Sequence, residues 1–135
     1  MSKETQLYII EDTPSAQFLY KEILNTIDVT FKLFNSGEDF LDFISVNDAG
    51  KNSLIIMDIG LPGIDGVALL KKLKAYKNNW KKLPVIAVTA HVMTHEINHY
   101  KDQGFTQVIQ KPIQVKSFKD LMQHYLQSIL IGGTV

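Results

Sequence analysis

Four short apolar runs punctuate the chain, at residues 6–10, 53–57, 84–88 and 105–110. Each is continuous rather than alternating, the pattern of a parallel strand covered on both faces. A fifth segment, residues 29–34, alternates like a strand nearer a sheet edge. Between these lie stretches with apolar residues at helical spacing. Thr13 and Pro14 supply an N-cap and a first helical position, and Ala16, Leu19, Tyr20, Ile23, Leu24 and Ile27 form the stripe of a helix running to about Thr26. Ser36, with Asp39 three residues on, has capping-box form and opens a second helix through about Val46. Residues 60–63 read as loop, 64–76 as an amphipathic helix and 77–83 as a polar turn. A fourth helix spans 92–103, ended by Gly104, and a fifth spans 113–131, stopped by Gly132 and Gly133.

Strands and helices thus alternate throughout, which predicts an α/β fold with a parallel sheet and right-handed crossovers. The natural solution is a flavodoxin-like, doubly wound, five-stranded sheet in the order 2-1-3-4-5 with five helices. Ligands bind such sheets beyond the carboxyl ends of the strands, at the switch point between the first and third. The residues that close the four apolar runs are Glu11 and Asp12, Asp58, Thr89, and Lys111 followed by Pro112. Fold and polar pattern select the same place.

The length of 135 residues fits one domain, 1–135, with a core over about 5–131. No apolar run approaches the roughly 20 residues of a membrane span, and residues 1–5 lack the apolar core of a secretory signal. The absence of cysteine excludes a disulfide framework and thiolate metal sites, and predicts a cytoplasmic protein. Fourteen basic and fourteen acidic residues cancel, and every basic residue is lysine. Without arginine or net positive charge, nucleic-acid binding is disfavoured. The lysines crowded between Lys71 and Lys82 read as a solvated helix face and the loop after it.

Three carboxylates gathered at one mouth repel one another, so the site either holds a proton or takes up a cation. An all-oxygen donor set points to a hard ion, Mg²⁺ above all, which binds one or two carboxylates plus phosphate oxygens. An aspartate can attack phosphorus to form an acyl phosphate, while a lysine and a hydroxyl orient the phosphoryl oxygens. Singly, an acidic pair after a strand is a helix cap and Lys-Pro is a turn. Four such signals in order, each at a strand end, form a constellation.

Residues 9–12 (Ile-Ile-Glu-Asp), 57–66 (Met-Asp-Ile-Gly-Leu-Pro-Gly-Ile-Asp-Gly), 88–90 (Val-Thr-Ala) and 110–113 (Gln-Lys-Pro-Ile) resemble the receiver domain of two-component response regulators. The spacing between Thr89 and Lys111 matches too, with Gly104 before the last strand, so the resemblance covers nearly the whole chain. It implies Asp58 as phosphoacceptor, and Glu11, Asp12, Asp58 and the Gly60 carbonyl as Mg²⁺ ligands. It implies that Thr89 hydrogen-bonds the phosphoryl group and Lys111 pairs with it, and that the Lys111–Pro112 peptide is often cis. The implied phosphodonor is a histidine kinase or histidine phosphotransfer protein, with a downstream protein as a further partner and a monomer or weak dimer as the working state. Such a chain promotes its own phosphorylation and dephosphorylation but is a switch rather than an enzyme. The segments at 89–93 and 111–113 resemble receivers of hybrid histidine kinases or stand-alone phosphorelay receivers, so an excised hybrid-kinase receiver is the first alternative. Met1 and the Gly132-Gly133 close favour a naturally short chain only weakly. In one respect the chain departs from the family: Val108 stands where many receivers carry Tyr or Phe.

Two rivals lose on their own motifs. A flavodoxin-like binder of a small anionic ligand needs a glycine-rich phosphate loop after the first strand, where Glu11 and Asp12 stand instead. An aspartyl phosphatase needs a second Asp close behind its nucleophile, which residues 58–60 lack. His91, His95 and His99 share i, i+4 spacing, but without a further ligand they read as exposed polar positions, with His91 close enough to the mouth to affect water access. Trp80 reads as local packing. Phe118, Leu121, Met122, Tyr125 and Ile129 form a core stripe on the last helix. Leu126, Leu130 and Ile131 widen it, either as the ordinary spread of a terminal helix or as a contact surface.

Overall fold

The computed structural model describes residues 5–50, 52–76 and 79–130. Strands β1 (Thr5–Ile10), β2 (Thr30–Phe34), β3 (Asn52–Asp58), β4 (Val85–Thr89) and β5 (Gln107–Gln110) alternate with helices α1 (Pro14–Leu24), α2 (Gly37–Val46), α3 (Gly66–Lys74), α4 (Thr94–Gln103) and α5 (Val115–Leu130). The strands form one sheet in the order β2-β1-β3-β4-β5, parallel at every pairing. The expected fold class and strand order are therefore the observed ones. Among the described residues no helix is long and apolar enough to cross a membrane.

The continuous apolar runs are explained by a core on each face of the sheet. Leu7, Ile9, Leu54, Ile56, Ile86 and Val88 pack against Tyr20, Ile23 and Leu24 of α1 and Phe118, Met122 and Tyr125 of α5. Tyr8, Ile10, Ile55, Met57, Val85 and Ala87 point the other way, toward α2 and α3. An aromatic cluster fills that second core, and Trp80 lies fully buried within it, its ring edge-on to Tyr8 at 4.9 Å and to Phe40 at 5.7 Å. Its indole N–H donates to the Asn47 carbonyl at 2.6 Å. The segment expected as a polar turn is thus a short 3₁₀ helix, Asn79–Lys82, built around this packed ring.

Several helix starts shift from expectation, for local reasons. The third helix begins at Gly66, where the Asp65 carboxylate accepts from the Ala68 N–H at 2.9 Å. The fourth begins at Thr94, where Glu96 accepts from the Met93 N–H at 3.2 Å. The Ser36 cap is present, accepting from Asp39 N–H at 3.0 Å, whereas the Thr13 hydroxyl makes no cap bond. Gly104 ends α4 at φ +116°, a left-handed conformation that favours glycine. On α5, Phe118, Met122 and Tyr125 are buried and Leu121 packs beside them. The side chains of Leu126, Ile129 and Leu130, together with Ile131, Gly132 and Gly133, lie outside the described residues.

Candidate phosphoacceptor site

Parallel pairing brings the carboxyl ends of four strands level. Backbone bonds just past the strands hold them so: Glu11 N–H to Phe34 O at 3.0 Å, Ile59 N–H to Val88 O at 3.0 Å and Lys111 N–H to Thr89 O at 2.9 Å. Glu11, Asp12 and Asp58 converge there, with ligating oxygens all within 4.8 Å of one another. Glu11, Asp58 and Thr89 are buried, three of the four buried polar residues among those described, the other being Ser53. A shallow opening of about 250 Å³ joins Asp12, Asp58, Gly60, Thr89 and Lys111, with Ala90 and His91 on its rim.

Asp58 and Glu11 are each held by nearby donors. Asp58 Oδ1 accepts from the Gly60 N–H at 3.0 Å, and Oδ2 accepts from Lys111 Nζ at 2.8 Å. Glu11 Oε2 accepts from the Thr13 N–H at 3.0 Å, so the first turn of α1 is tied to the mouth by backbone and not by the Thr13 hydroxyl. The other Glu11 oxygen lies 3.3 Å from Lys111 Nζ, in ion-pair contact but without a well-aligned hydrogen bond. Thr89 Oγ1 accepts from the His91 N–H at 3.1 Å. The Lys111–Pro112 peptide is cis.

Electrostatics follow from burial. Burial pushes the Glu11 carboxyl above its usual range; the Thr13 N–H opposes this, the Asp58 charge adds to it and Lys111 pulls back. For Lys111, burial works against the charge, but the Asp58 hydrogen bond and the two carboxylates outweigh it and raise its affinity for the proton. Burial, followed by the charges of Glu11 and Asp58, raises the Tyr20 phenol. The donor set fits a hard divalent cation: three carboxylates, no nitrogen or sulfur, and one buried Glu11 oxygen with unused acceptor capacity.

Every residue singled out at a strand end reaches this mouth. The histidines do not gather: His91 precedes α4, lies largely exposed and approaches Glu96 at 3.8 Å, while His95 and His99 sit on the helix proper. Sequence reasoning missed Gln17, whose side-chain amide donates to the Glu11 carbonyl at 2.6 Å and to Asn35 Oδ1 at 2.7 Å. Gly66, the last residue of the 57–66 motif, was given no role there; an added Cβ would lie 2.6 Å from the Asp58 carbonyl oxygen. A second cavity, about 510 Å³, opens beside the mouth between α1 and the segment after β5, with Ala16, Leu19, Val88, Pro112 and Ile113 in its walls.

The chain belongs to the response regulator receiver domain family, which it matches over residues 7–123. It is similar to the sporulation initiation phosphotransferase F of Bacillus subtilis, 27% identical over 122 residues, covering 90% of this chain and 93% of the relative. It is 30% identical over 112 residues to the peroxide stress-activated histidine kinase mak1 of Schizosaccharomyces pombe, covering 82% of this chain but 6% of the kinase. Likewise, the chain spans only 16% of the transcription factor SKN7 of Chaetomium thermophilum. The fold is shared with the receiver domain of the Pseudomonas aeruginosa sensor histidine kinase PA1611, which has a magnesium ion in its active-site cleft; the TM-score is 0.76 at 21% identity over 91% of this chain and 98% of that one.

Proposed function

We propose that this chain is a phosphoryl switch that accepts a phosphoryl group from a phosphohistidine onto Asp58 and signals through protein contacts. The observation that carries the reading is Asp58 itself, a buried carboxylate at the switch point with both oxygens oriented, one by the Gly60 N–H and one by Lys111. One carboxylate oxygen attacks phosphorus; the O–P bond forms as the N–P bond breaks, and the electron pair returns to the leaving imidazole. Lys111 moves from its pairing with Asp58 to neutralise a phosphoryl oxygen, and the Thr89 hydroxyl turns to hydrogen-bond another. Water attack later restores the carboxylate. Glu11, Asp12, Asp58 and the Gly60 carbonyl would hold Mg²⁺, which when bound supplies charge neutralisation for the incoming phosphate.

The phosphodonor is a histidine kinase or a histidine phosphotransfer protein, and the exposed Phe18 on α1 beside the mouth suits its docking. The phosphotransferase and the histidine kinase among the relatives support a phosphorelay component with a protein target, read here as cytoplasmic, while the absence of arginine and of net positive charge weighs against nucleic-acid contact by this chain. Val108 sits partly buried against the α2 and α3 core. Without an aromatic ring there, the response to phosphorylation is a modest shift around α4. The test is incubation with a small phosphodonor and Mg²⁺ followed by intact mass: one acid-labile phosphoryl group is expected, and its absence overturns the reading.

A further inference from the structure

We propose that Glu38, on the first turn of α2, is a positioning residue that holds the loop after Asp58 in its working shape; the inference rests on the phosphoacceptor reading above. The Glu38 carboxylate lies outside the acidic cluster, on a different helix. Its Oε2 accepts from the Ile64 N–H at 2.9 Å, across 26 residues of sequence. A carboxylate accepting from a backbone amide makes a charge-assisted bond, roughly twice as strong as a neutral one. The fit around it is close. Gly63 is in the left-handed region at φ +71°, and an added Cβ there would come within 2.7 Å of the same Oε2. A Cβ on Gly37 would come within 2.5 Å of Ile64 Cγ2, so α2 seats directly on the loop.

Residues 60–65 are also held near their ends by the Gly60 N–H on Asp58 Oδ1 at 3.0 Å, the Gly66 N–H on the Ile59 carbonyl at 3.0 Å and the Ala68 N–H on Asp65 Oδ1 at 2.9 Å, with Leu61 buried and Ile64 packed against the core between. A loop with two glycines has much conformational freedom to lose. The Glu38 bond is its lateral fastening. Three residues upstream, Asn35 Oδ1 receives the Gln17 amide that also holds the Glu11 carbonyl. The short segment from Asn35 to Glu38 therefore braces both loops that supply the three carboxylates, and Glu38 fixes the half that carries Asp58 and Gly60.

The test compares Glu38→Ala with Glu38→Gln in the full chain, reading amide hydrogen exchange at Ile64 without metal and then Mg²⁺ binding by titration. The alanine variant should speed Ile64 exchange and weaken Mg²⁺ binding by about tenfold each, the scale of a lost outer-shell partner. The glutamine variant keeps an acceptor oxygen without the charge and should fall between the wild type and the alanine variant in both. Unchanged Ile64 exchange in the alanine variant overturns the proposal. So does a glutamine variant as weak for Mg²⁺ as the alanine, since charge and not position would then be the cause. A wild type that takes up neither Mg²⁺ nor a phosphoryl group would fail the phosphoacceptor reading instead, while the exchange arm still decides whether Glu38 holds the loop.

Discussion

Lys111 Nζ bridges two acids, lying 2.8 Å from Asp58 Oδ2 and 3.3 Å from Glu11 Oε1. The ammonium thus compensates the mouth in the resting chain, and it must let go of Asp58 for a phosphoryl group to enter. Lys111→Ala should leave Mg²⁺ binding intact or tighter, because a competing cation is removed, while binding of the phosphoryl mimic beryllofluoride weakens. Metal-free stability should fall by about 1 kcal/mol, modest because the lysine keeps partial contact with water. Paired titrations with Mg²⁺ alone and then beryllofluoride check this; equal losses in both would mean that Lys111 supports the fold only.

Asp58→Asn should abolish phosphoryl uptake and preserve the fold, since the amide is nearly isosteric and relieves carboxylate crowding. Without Mg²⁺ the melting temperature should rise by roughly 3–5 °C, corresponding to about 1 kcal/mol. Intact mass after phosphodonor treatment is the decisive measurement, and uptake by the variant would remove Asp58 from its assigned role.

Mg²⁺ should stabilise the chain by about 2.7 kcal/mol at a concentration 100 times its dissociation constant. Glu11→Gln combined with Asp12→Asn should remove most of that gain, and excess chelator should stop phosphoryl transfer. Thermal melts with and without the ion supply the comparison. A double variant with unchanged Mg²⁺ affinity would place the ion elsewhere.

Acid should reveal Glu11. Its folded pKa lies above the ordinary value of 4.5, so its contribution to stability is fully present below that pH and lost as pH rises through the folded pKa. In metal-free melts from pH 4.5 to 7, the wild type should therefore lose stability relative to Glu11→Gln as pH rises. A constant difference between the two curves would contradict the burial argument.

Gly66→Ala should loosen the acceptor from behind. The new methyl would meet two backbone atoms, the Asp58 carbonyl oxygen at 2.6 Å and Ile59 Cα at 2.8 Å, neither of which can swing aside. The expected loss is about 2–3 kcal/mol, read from denaturant unfolding. An unaffected midpoint would show that α3 can shift to make room.

The parts of the site readable in the sequence were those fixed by strand ends. Glu11, Asp12, Asp58, Thr89 and Lys111 each follow an apolar run, and parallel pairing carries all of them to one edge. The strand order was legible for the same reason, since runs buried on both faces leave few topologies. What stayed hidden depends on which loops the fold sets side by side. Gln17 on the Glu11 carbonyl joins residues near in sequence but carries no recognisable spacing, and Glu38 reaches Ile64 only because α2 packs beside the loop after β3. The histidines at 91, 95 and 99 are exposed, as their lack of a further ligand suggested, and His91 lies before the helix that Met93 caps.

Trp80 gives the protein an internal gauge. It is the chain's only tryptophan, has no solvent exposure, and precedes β4, whereas Asp58 ends β3, so the two occupy opposite ends of a parallel sheet. Its fluorescence will respond to melting of the aromatic core and stay quiet while the acidic mouth changes occupancy. Any variant at the mouth can therefore be sorted by one optical measurement: a red-shifted indole marks a chain that has come apart, and an unshifted one marks a chain that has lost only its chemistry.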